Sequence, residues 1–466
     1  MSFLKQIALS VYKKPSLYIF IFFIIFSVDR YNRWVNYNSS RYPLVDDVDQ
    51  FYSYLPAAFI HHDLTFNFPN NYWTVPGKNG NKIPRTTYGM ALMYSPFFFA
   101  GHIIAKAKDL PADGYSLPYK WCLHLGTFCY VLLGLWFCRK NLLRFFTEPV
   151  VCITLICIFL GTNLFYYTFA WGEMCHSYLF CIFSVYIYYV LKWLDSKKLS
   201  HLLIFSFLAG FAALIRPTDV IILLFPFLFG ISSVADFKER LMLISKQGAK
   251  IGLAVFVFIL PALFQLIFWK VYGGSWLIQT YGNKEGFFFN DPQIVNFLFS
   301  FRKGWFIYTP IMFLSLVGVL LLFKTSRPWF FFLLVLFGLN VYILSSWWDW
   351  GFGGSFGCRA IIQYYAFFAI GLASFISVIF STGANKIFKT IVRVVGCSVL
   401  FYLITLNYNQ SWKYKYGLIH YNGMTKEAYF FVFNKSTLTP TELKHYQSLI
   451  RIPDLNKMMD GSDRNQ

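Results

Sequence analysis

The chain has 466 residues, of which 57% are hydrophobic and 22% aromatic, with 56 Phe and a mean hydropathy of +0.50. Charged residues make up 13%, about half the ~25% usual in a soluble domain, which argues against both a disordered chain and an ordinary soluble enzyme. The net charge of +20 would suggest nucleic acid in a soluble protein. Here apolar runs of membrane length recur, so the first question is where the charges sit relative to a bilayer.

Taken in chain order, helix-compatible apolar runs lie at 15–28, 88–105, 118–138, 150–169, 173–191, 201–215, 217–234, 250–271, 306–323, 328–346, 361–381 and 388–407. The first follows Lys5, Lys13 and Lys14 and ends in Ser27-Val28-Asp29-Arg30, without a small-residue cleavage site. It reads as an uncleaved signal anchor. The run 201–234 is split by Arg216-Pro217-Thr218-Asp219, a turn between two spans, because Pro favours a helix start.

Charge assigns sides. The short segments 1–15, 139–148, 192–201, 236–250, 324–328 and 382–393 carry eighteen Lys/Arg and four acids, which places all six in the cytoplasm. With the N-terminus inside, only one further crossing can precede Arg139-Lys140. Two runs compete, and 88–105 is the weaker. It holds Tyr88, Gly89, Tyr94, Ser95, Pro96, Gly101 and His102, and reads as an interfacial or re-entrant helix on the outer side. The expected fold is therefore an all-α polytopic membrane protein of about eleven transmembrane helices. It has a membrane domain at 1–407, a long first periplasmic loop at 29–117 with interfacial helices, and an external tail or small domain at 408–466.

Nine cysteines lie mostly in apolar runs and read as small hydrophobes. Only Cys175 and Cys358 fall in loops near membrane ends, where a bridge between them is conceivable.

The unusual polar residues collect on the outer side. The first loop contains Asp46-Asp47-Val48-Asp49-Gln50-Phe51-Tyr52-Ser53-Tyr54, then His61-His62-Asp63. Three carboxylates within four residues repel one another, which suits a general base. The plainer reading is a solvated acidic loop, or an N-cap for a helix starting near Gln50. Arg85, in Lys82-Ile83-Pro84-Arg85, can hold a lipid phosphate or simply snorkel to headgroups. Glu173 and His176 are spaced to share a helical face. With His61 and His62 they leave a divalent metal open, although the spacing is not a recognised ligand motif. Arg216 sits at an outer turn with Asp219 as its local alternative partner. Arg302 and Lys303 precede another span on the same side, where a headgroup anchor is the plain alternative.

The densest element is Trp347-Trp348-Asp349-Trp350-Gly351-Phe352-Gly353-Gly354-Ser355-Phe356-Gly357-Cys358-Arg359. Glycines allow tight turns with backbone amides aimed at a ligand. Arg359, at the start of the helix at 361–381, can meet an anion together with the helix N-terminus. An interfacial aromatic belt explains the tryptophans but not the glycines with Arg.

Carboxylates, cations and aromatic walls over a membrane bundle suit transfer from a lipid-phosphate donor. On these motifs the sequence resembles the GT-C superfamily of membrane glycosyltransferases, and within it bacterial members of the protein O-mannosyltransferase and aminoarabinose-transferase type. The likeness runs from the first helix to about residue 381. It rests on Asp46-Asp47-Val48-Asp49 with the tyrosines that follow, Tyr88-Gly89 to Phe98, Cys175-His176-Ser177, Ile215-Arg216-Pro217, Arg302-Lys303-Gly304 with Tyr308-Thr309-Pro310, and Gly354 to Arg359. The resemblance implies a first-loop Asp as general base, with Asp47 preferred over Asp49 and Asp46. The family's usual Asp-Glu pair is replaced here by Asp46-Asp47 or Asp49-Gln50. It also implies a polyprenyl-phosphate-sugar donor held at its phosphate by Arg359, Arg216, Arg85, Lys303 and Arg302. Tyr52, Tyr54, Asp63, His176, Glu173, Trp348 and Trp350 are the expected substrate contacts. The expected reaction is inverting transfer to a periplasmic lipid, glycan or protein acceptor at a bacterial inner membrane, with no cofactor required and a divalent metal open. The main alternative is a transporter or flippase of a lipid-linked glycan. Others are a glycan polymerase or ligase and a noncatalytic scaffold.

Overall fold

The computed structural model describes residues 13–34, 44–68, 72–231, 233–281, 285–381 and 386–464. The first twelve residues of the expected signal anchor, with Lys5, and residues 382–385 of an expected cytoplasmic segment lie outside the described residues. The helices are α1 (Pro15–Trp34), α2 (Asp46–Tyr52), α3 (Tyr54–Phe59), α4 (Gly89–Ala107), α5 (Leu117–Leu142), α6 (Glu148–Leu160), α7 (Tyr166–Phe169), α8 (Cys175–Ser196), α9 (Leu199–Ile215), α10 (Leu224–Leu228), α11 (Val234–Lys246) and α12 (Gly248–Gly273). They continue as α13 (Ile294–Phe299), α14 (Trp305–Tyr308), α15 (Ile311–Thr325), α16 (Arg327–Ser346), α17 (Tyr365–Ile379), α18 (Lys386–Lys415), α19 (Lys426–Val432), α20 (Pro440–Leu449) and α21 (Leu455–Met459). Two 3-10 turns, Pro217–Leu223 and Arg359–Tyr364, precede α10 and α17. The only sheet among the described residues is the antiparallel hairpin β1 (Thr74–Pro76) and β2 (Lys82–Pro84).

Among the described residues, six helical segments are long and apolar enough to cross a membrane: Leu117–Leu142, Cys175–Ser196, Gly248–Gly273, Arg327–Ser346, Arg359–Ile379 and Ile387–Lys415. Five shorter apolar helices, Pro15–Asp29, Glu148–Leu160, Leu199–Ile215, Pro217–Leu228 and Ile311–Thr325, fall on other expected runs. Two long helices keep large apolar side chains outward: Phe264 of α12 is 58% exposed and Phe401 of α18 is 72% exposed. Such surface suits lipid, because a helix satisfies its own backbone hydrogen bonds and needs only apolar contact around it.

Several expected runs are broken, each for a local reason. The run at 150–169 stops at Leu160, before Gly161. Pro310 separates α14 from α15. The run at 217–234 is a 3-10 turn and a five-residue helix, ended near Gly230 in the left-handed conformation (φ 85°). The final span extends beyond residue 407, to Lys415.

The chain folds as two compact units, one comprising Ser27–Phe137 and Tyr167–Gly282, the other Met1–Phe26, Cys138–Tyr166 and Asn283–Gln466. Both use small residues to bring helices together. In the first, a Cβ on Gly210 of α9 would lie 1.9 Å from the Phe258 carbonyl oxygen of α12. In the second, a Cβ on Gly318 of α15 would lie 1.8 Å from the Gly371 carbonyl oxygen of α17.

Candidate active site

In the first unit, α2 carries the acidic motif. Its helix starts at Asp46 rather than near Gln50, so Asp46, Asp47 and Asp49 all occupy the first turn. The negative charge there meets the helix's partially positive end. Asp46 takes a left-handed φ of 51°, a conformation Asp tolerates better than most residues. The two tyrosines that follow are tethers. Tyr52, fully buried, donates from its hydroxyl to the Gly114 carbonyl and packs edge-on to Tyr115 and Phe98. Tyr54 donates to the Thr86 carbonyl (2.7 Å) and packs against Phe66 and Phe268. Burial raises both phenol pKa values, so both remain neutral donors.

Arg85 follows the hairpin, whose turn is docked on the end of α12. Lys78 donates from its amide to the Gly273 carbonyl (2.8 Å), and Asn81 Nδ2 to the Tyr272 carbonyl (3.0 Å). Gly77 is needed at this contact, since a Cβ there would meet Gly273 Cα at 2.9 Å. Beyond Arg85, Thr87 Oγ1 donates to the Leu214 carbonyl (2.6 Å) and the Tyr88 amide to Gln265 Oε1 (3.0 Å). The first bond fastens the Arg85 segment to the end of α9, where Arg216 emerges, and the second fastens it to α12.

Arg216 Nη1 lies 3.3 Å from His176 Nδ1. A guanidinium only donates, so this contact makes Nδ1 the acceptor and leaves the proton of a neutral ring on Nε2. Glu173 goes elsewhere. Helix α8 begins at Cys175, so Glu173 lies before it and does not share a helical face with His176. It is 1% exposed, and its Oε1 pairs with Nδ1 of His124 on α5 at 3.0 Å. Its Oε2 makes no hydrogen bond among the described residues. His124 was absent from the sequence expectations; its signal was an ionisable residue inside an apolar run.

Tyr281 brings the distant motifs together. The Arg85 guanidinium lies 4.7 Å from its ring centroid. Burial of the hydroxyl raises its pKa, although the residue as a whole is 44% exposed; the Asp47 carboxylate raises it further, and Arg85 and Arg216 pull it back. One carboxylate and two guanidiniums thus act on a single phenol. No motif in the sequence marked Tyr281.

In the second unit, the glycine-rich element is organised by Asp349. Its Oδ1 accepts from Arg302 Nη2 (3.1 Å) and the Gly351 amide (3.2 Å), and its Oδ2 from the Gly353 amide (2.6 Å). Two of the glycine amides expected to face a ligand therefore face this carboxylate. Arg302 also donates to the Asn422 side chain (3.0 and 3.1 Å) and carbonyl (3.2 Å), and lies over Trp350. Lys303, 2% exposed, donates to the Ser355 and Tyr421 carbonyls, and burial pushes its ammonium pKa well down. Trp350 Nε1 donates to the Arg464 carbonyl (2.9 Å), while the Arg464 guanidinium donates to the Ser345 (3.1 Å) and Trp347 (2.9 Å) carbonyls. Arg302, Lys303 and Trp350 thus join this element to residues 421–464. Trp348 is partly exposed, and its backbone amide bonds the Gly286 carbonyl (2.9 Å). Arg359 opens the 3-10 turn that leads into α17, so the helix N-terminus expected beside it is a 3-10 end.

The remaining first-loop candidates have local roles. Asp63 accepts from the Thr65 amide (2.8 Å) and hydroxyl (2.5 Å), which hold its carboxyl below the usual range. His61 stacks on Phe68 with centroids 4.0 Å apart. Among the described residues no three His, Cys, Asp or Glu side chains group as metal ligands. All nine cysteines are free, so Cys175 and Cys358 form no bridge.

No family model and no curated protein matches the chain. Among solved structures it is similar to the oligosaccharyltransferase of Archaeoglobus fulgidus in its apo form, with a TM-score of 0.47 and 12% identity over 91% of this chain and 58% of that one. It is also similar to the same archaeon's AglB in complex with an inhibitory peptide and a dolichol-phosphate, with a TM-score of 0.46 and 13% identity over 87% of this chain and 56% of that one. The chain spans less than two thirds of either protein, and scores below 0.5 at this identity do not establish a common fold.

Proposed function

We propose that the chain is a membrane glycosyltransferase that moves a sugar from a polyprenyl-phosphate-linked donor to an acceptor on the outer face of a bacterial inner membrane. Eleven helices cross the bilayer in this reading, with Gly89–Ala107 lying at the outer interface. The observation that carries it is the placing of two cations beside each other: Arg85 lies over the Tyr281 ring at 4.7 Å, and the Arg85 segment is fastened through Thr87 to the end of α9, where Arg216 meets His176. A base and two phosphate-binding cations, from three separate stretches of sequence, are what such a transfer requires.

The Asp47 carboxylate takes the proton from the acceptor hydroxyl. The acceptor oxygen forms its bond to the sugar C1 from the face opposite the leaving group, giving inversion. The C1–oxygen bond to phosphate breaks, and the electron pair leaves on the lipid phosphate. Arg85 and Arg216 hold the growing charge on that phosphate. His176 fixes the Arg216 guanidinium, and Tyr281 fixes Arg85 from its ring face. Asp46 and Asp49 are the weaker candidates for the base. Arg359 remains a candidate for the donor phosphate, whereas Arg302 is paired with Asp349 and Lys303 is held by the Ser355 and Tyr421 carbonyls.

The test is sugar transfer in membranes carrying the Asp47→Asn, Arg216→Gln and Arg85→Gln variants. Loss of general base catalysis lowers a rate by roughly 10²–10⁴-fold, so Asp47→Asn should fall at least a hundredfold. Full transfer by Asp47→Asn would remove the base assignment. Full transfer by both Arg variants would remove the phosphate site.

A further inference from the structure

Helix α11 turns an apolar stripe outward. Its start is fixed by a reciprocal pair. The Ser233 amide donates to Asp236 Oδ2 (2.9 Å) and the Asp236 amide to Ser233 Oγ (3.1 Å), a capping-box arrangement. The helix has 13 residues, roughly 20 Å at 1.5 Å per residue, which is too short for the ~30 Å core of a bilayer. Five of those residues are charged: Asp236, Lys238, Glu239, Arg240 and Lys246. Val234, Phe237 and Leu241, three and four residues apart, nevertheless share one face. They are 72%, 47% and 49% exposed. At about 100° per residue, Asp236 and Glu239 fall on the opposite face. Lys238, four residues after Val234 and three before Leu241, borders the stripe and is exposed.

The neighbouring helices fix where α11 sits in the first unit. Leu214 of α9 and Gln265 of α12 bind the adjacent residues Thr87 and Tyr88 (2.6 and 3.0 Å). Further back, Gly210 of α9 meets Phe258 of α12. The two helices therefore run side by side in one direction. Their starts, Leu199 and Gly248, lie together at the end away from Arg85. Helix α11 belongs to that end. Gln247 alone separates it from α12, and Arg240 donates to the Phe229 carbonyl (3.0 Å) and the Pro226 carbonyl, around the end of α10. Lys250, in the first turn of α12, and Lys197 and Lys198, just before α9, are exposed there. Helix α12, of membrane length, exposes Leu253, Val255 and Phe256 as it leaves this end. A short helix with an apolar stripe, a basic border and its acids turned away matches one that lies in a membrane surface. Its lysines complement anionic headgroups.

We propose that α11 lies in the plane of the bilayer surface, on the side remote from Arg85, and binds anionic phospholipid. Val234, Phe237 and Leu241 enter the acyl boundary, and Lys238 and Lys250 meet the headgroups. The inference rests on the chain crossing a membrane and is independent of sugar transfer.

The test is spin-label depth measurement on the full chain in vesicles of phosphatidylcholine and phosphatidylglycerol. Cys129, Cys152 and Cys397, the cysteines that are not buried, are first replaced by serine. Single labels are then placed at Phe237→Cys and Glu239→Cys, with Val234→Cys as a second probe of the stripe. All three side chains are exposed, so the variants should melt with their background. Oxygen should relax the labels at positions 234 and 237 more than a water-soluble nickel chelate does, and the label at 239 should show the reverse. In mass spectrometry of the detergent-solubilised chain, the parent should retain phosphatidylglycerol over phosphatidylcholine. Lys238→Gln with Lys250→Gln should lower that preference at least about fivefold without moving the melting midpoint. The proposal is overturned if the chelate reaches 234 and 237 as freely as 239. It is also overturned if those labels are shielded from both reagents, which assigns the stripe to a protein partner or a second copy. Equal retention of the two lipids by the parent, or an unchanged preference in the double variant, removes the headgroup site.

Discussion

Asp349→Ala tests whether the glycine-rich element is held by a buried ion pair. The substitution removes the acceptor for Arg302 Nη2 at 3.1 Å and for the Gly351 and Gly353 amides at 3.2 and 2.6 Å. Arg302 is only 4% exposed, and stranding a buried charge costs about 3–5 kcal/mol. Each orphaned amide adds about 1–3 kcal/mol if it stays buried, but the loop can open to water and recover part of that. The expected loss is about 4–6 kcal/mol, which is at the extreme of single substitutions. Six of the nine cysteines, among them Cys138, Cys157 and Cys358, are buried, so heat-induced labelling by a thiol-reactive dye in detergent reports unfolding directly. At roughly 2–4 °C per kcal/mol, the midpoint should fall by about 10 °C or more. Asp349→Asn, which keeps an acceptor, should lose less. Arg302→Leu with Asp349→Ala should lose less than the sum of the two singles, with a coupling of about 1–3 kcal/mol. A midpoint within about 1 °C of the parent for Asp349→Ala would refute the clamp.

Glu173→Gln keeps an oxygen for His124 and should melt near the parent, whereas Glu173→Ala strands a buried imidazole and should lose about 1–3 kcal/mol, read by the same dye. Gly318→Val places a side chain where a Cβ would already stand 1.8 Å from the Gly371 carbonyl oxygen, so α15 and α17 must separate; a yield and melting point equal to the parent's would contradict that contact. The Glu442 carboxyl is held down to about 2 by Lys435 and by the Thr439 amide and hydroxyl that complete the α20 capping box. Its contribution is therefore present above its unfolded pKa of about 4.3 and is lost as pH falls through about 2. Proteolysis of α20 should increase over that window in the parent, and Glu442→Gln should lack the dependence. An epitope tag inserted at Lys108 should be reached from outside in intact cells, and labelling only after permeabilisation would reverse the sidedness drawn from the loop charges.

Much of the helical layout was legible because apolar length is a local property. The expected runs at 118–138, 173–191, 250–271 and 328–346 each coincide with a long helix. Breaks were harder, because Gly161 and Pro310 interrupt runs whose composition stays apolar. Asp47, Arg85 and Arg216 stand out in the sequence as unusual polar residues, but the contact of Arg85 with Tyr281 follows a hairpin docked on α12. That docking rests on Gly77 against Gly273, two residues that carry no chemical signal. Charge alone made Arg302 and Lys303 look like ligand groups. Their burial against Asp349, Asn422 and two backbone carbonyls is a tertiary fact that residue type does not encode. The same holds for Glu173, whose partner lies 49 positions earlier.

The hairpin contact also has a mechanical side. Arg85 follows a strand fastened by Lys78 and Asn81 to the last turn of α12, a helix whose apolar surface is largely exposed. A stretch longer or shorter than the surrounding hydrocarbon adjusts by tilting. Any tilt of α12 would displace its terminal turn, and with it the hairpin and the guanidinium. Bilayer thickness then becomes a variable that acts on the position of Arg85, so lipid chain length belongs among the conditions under which the protein is assayed.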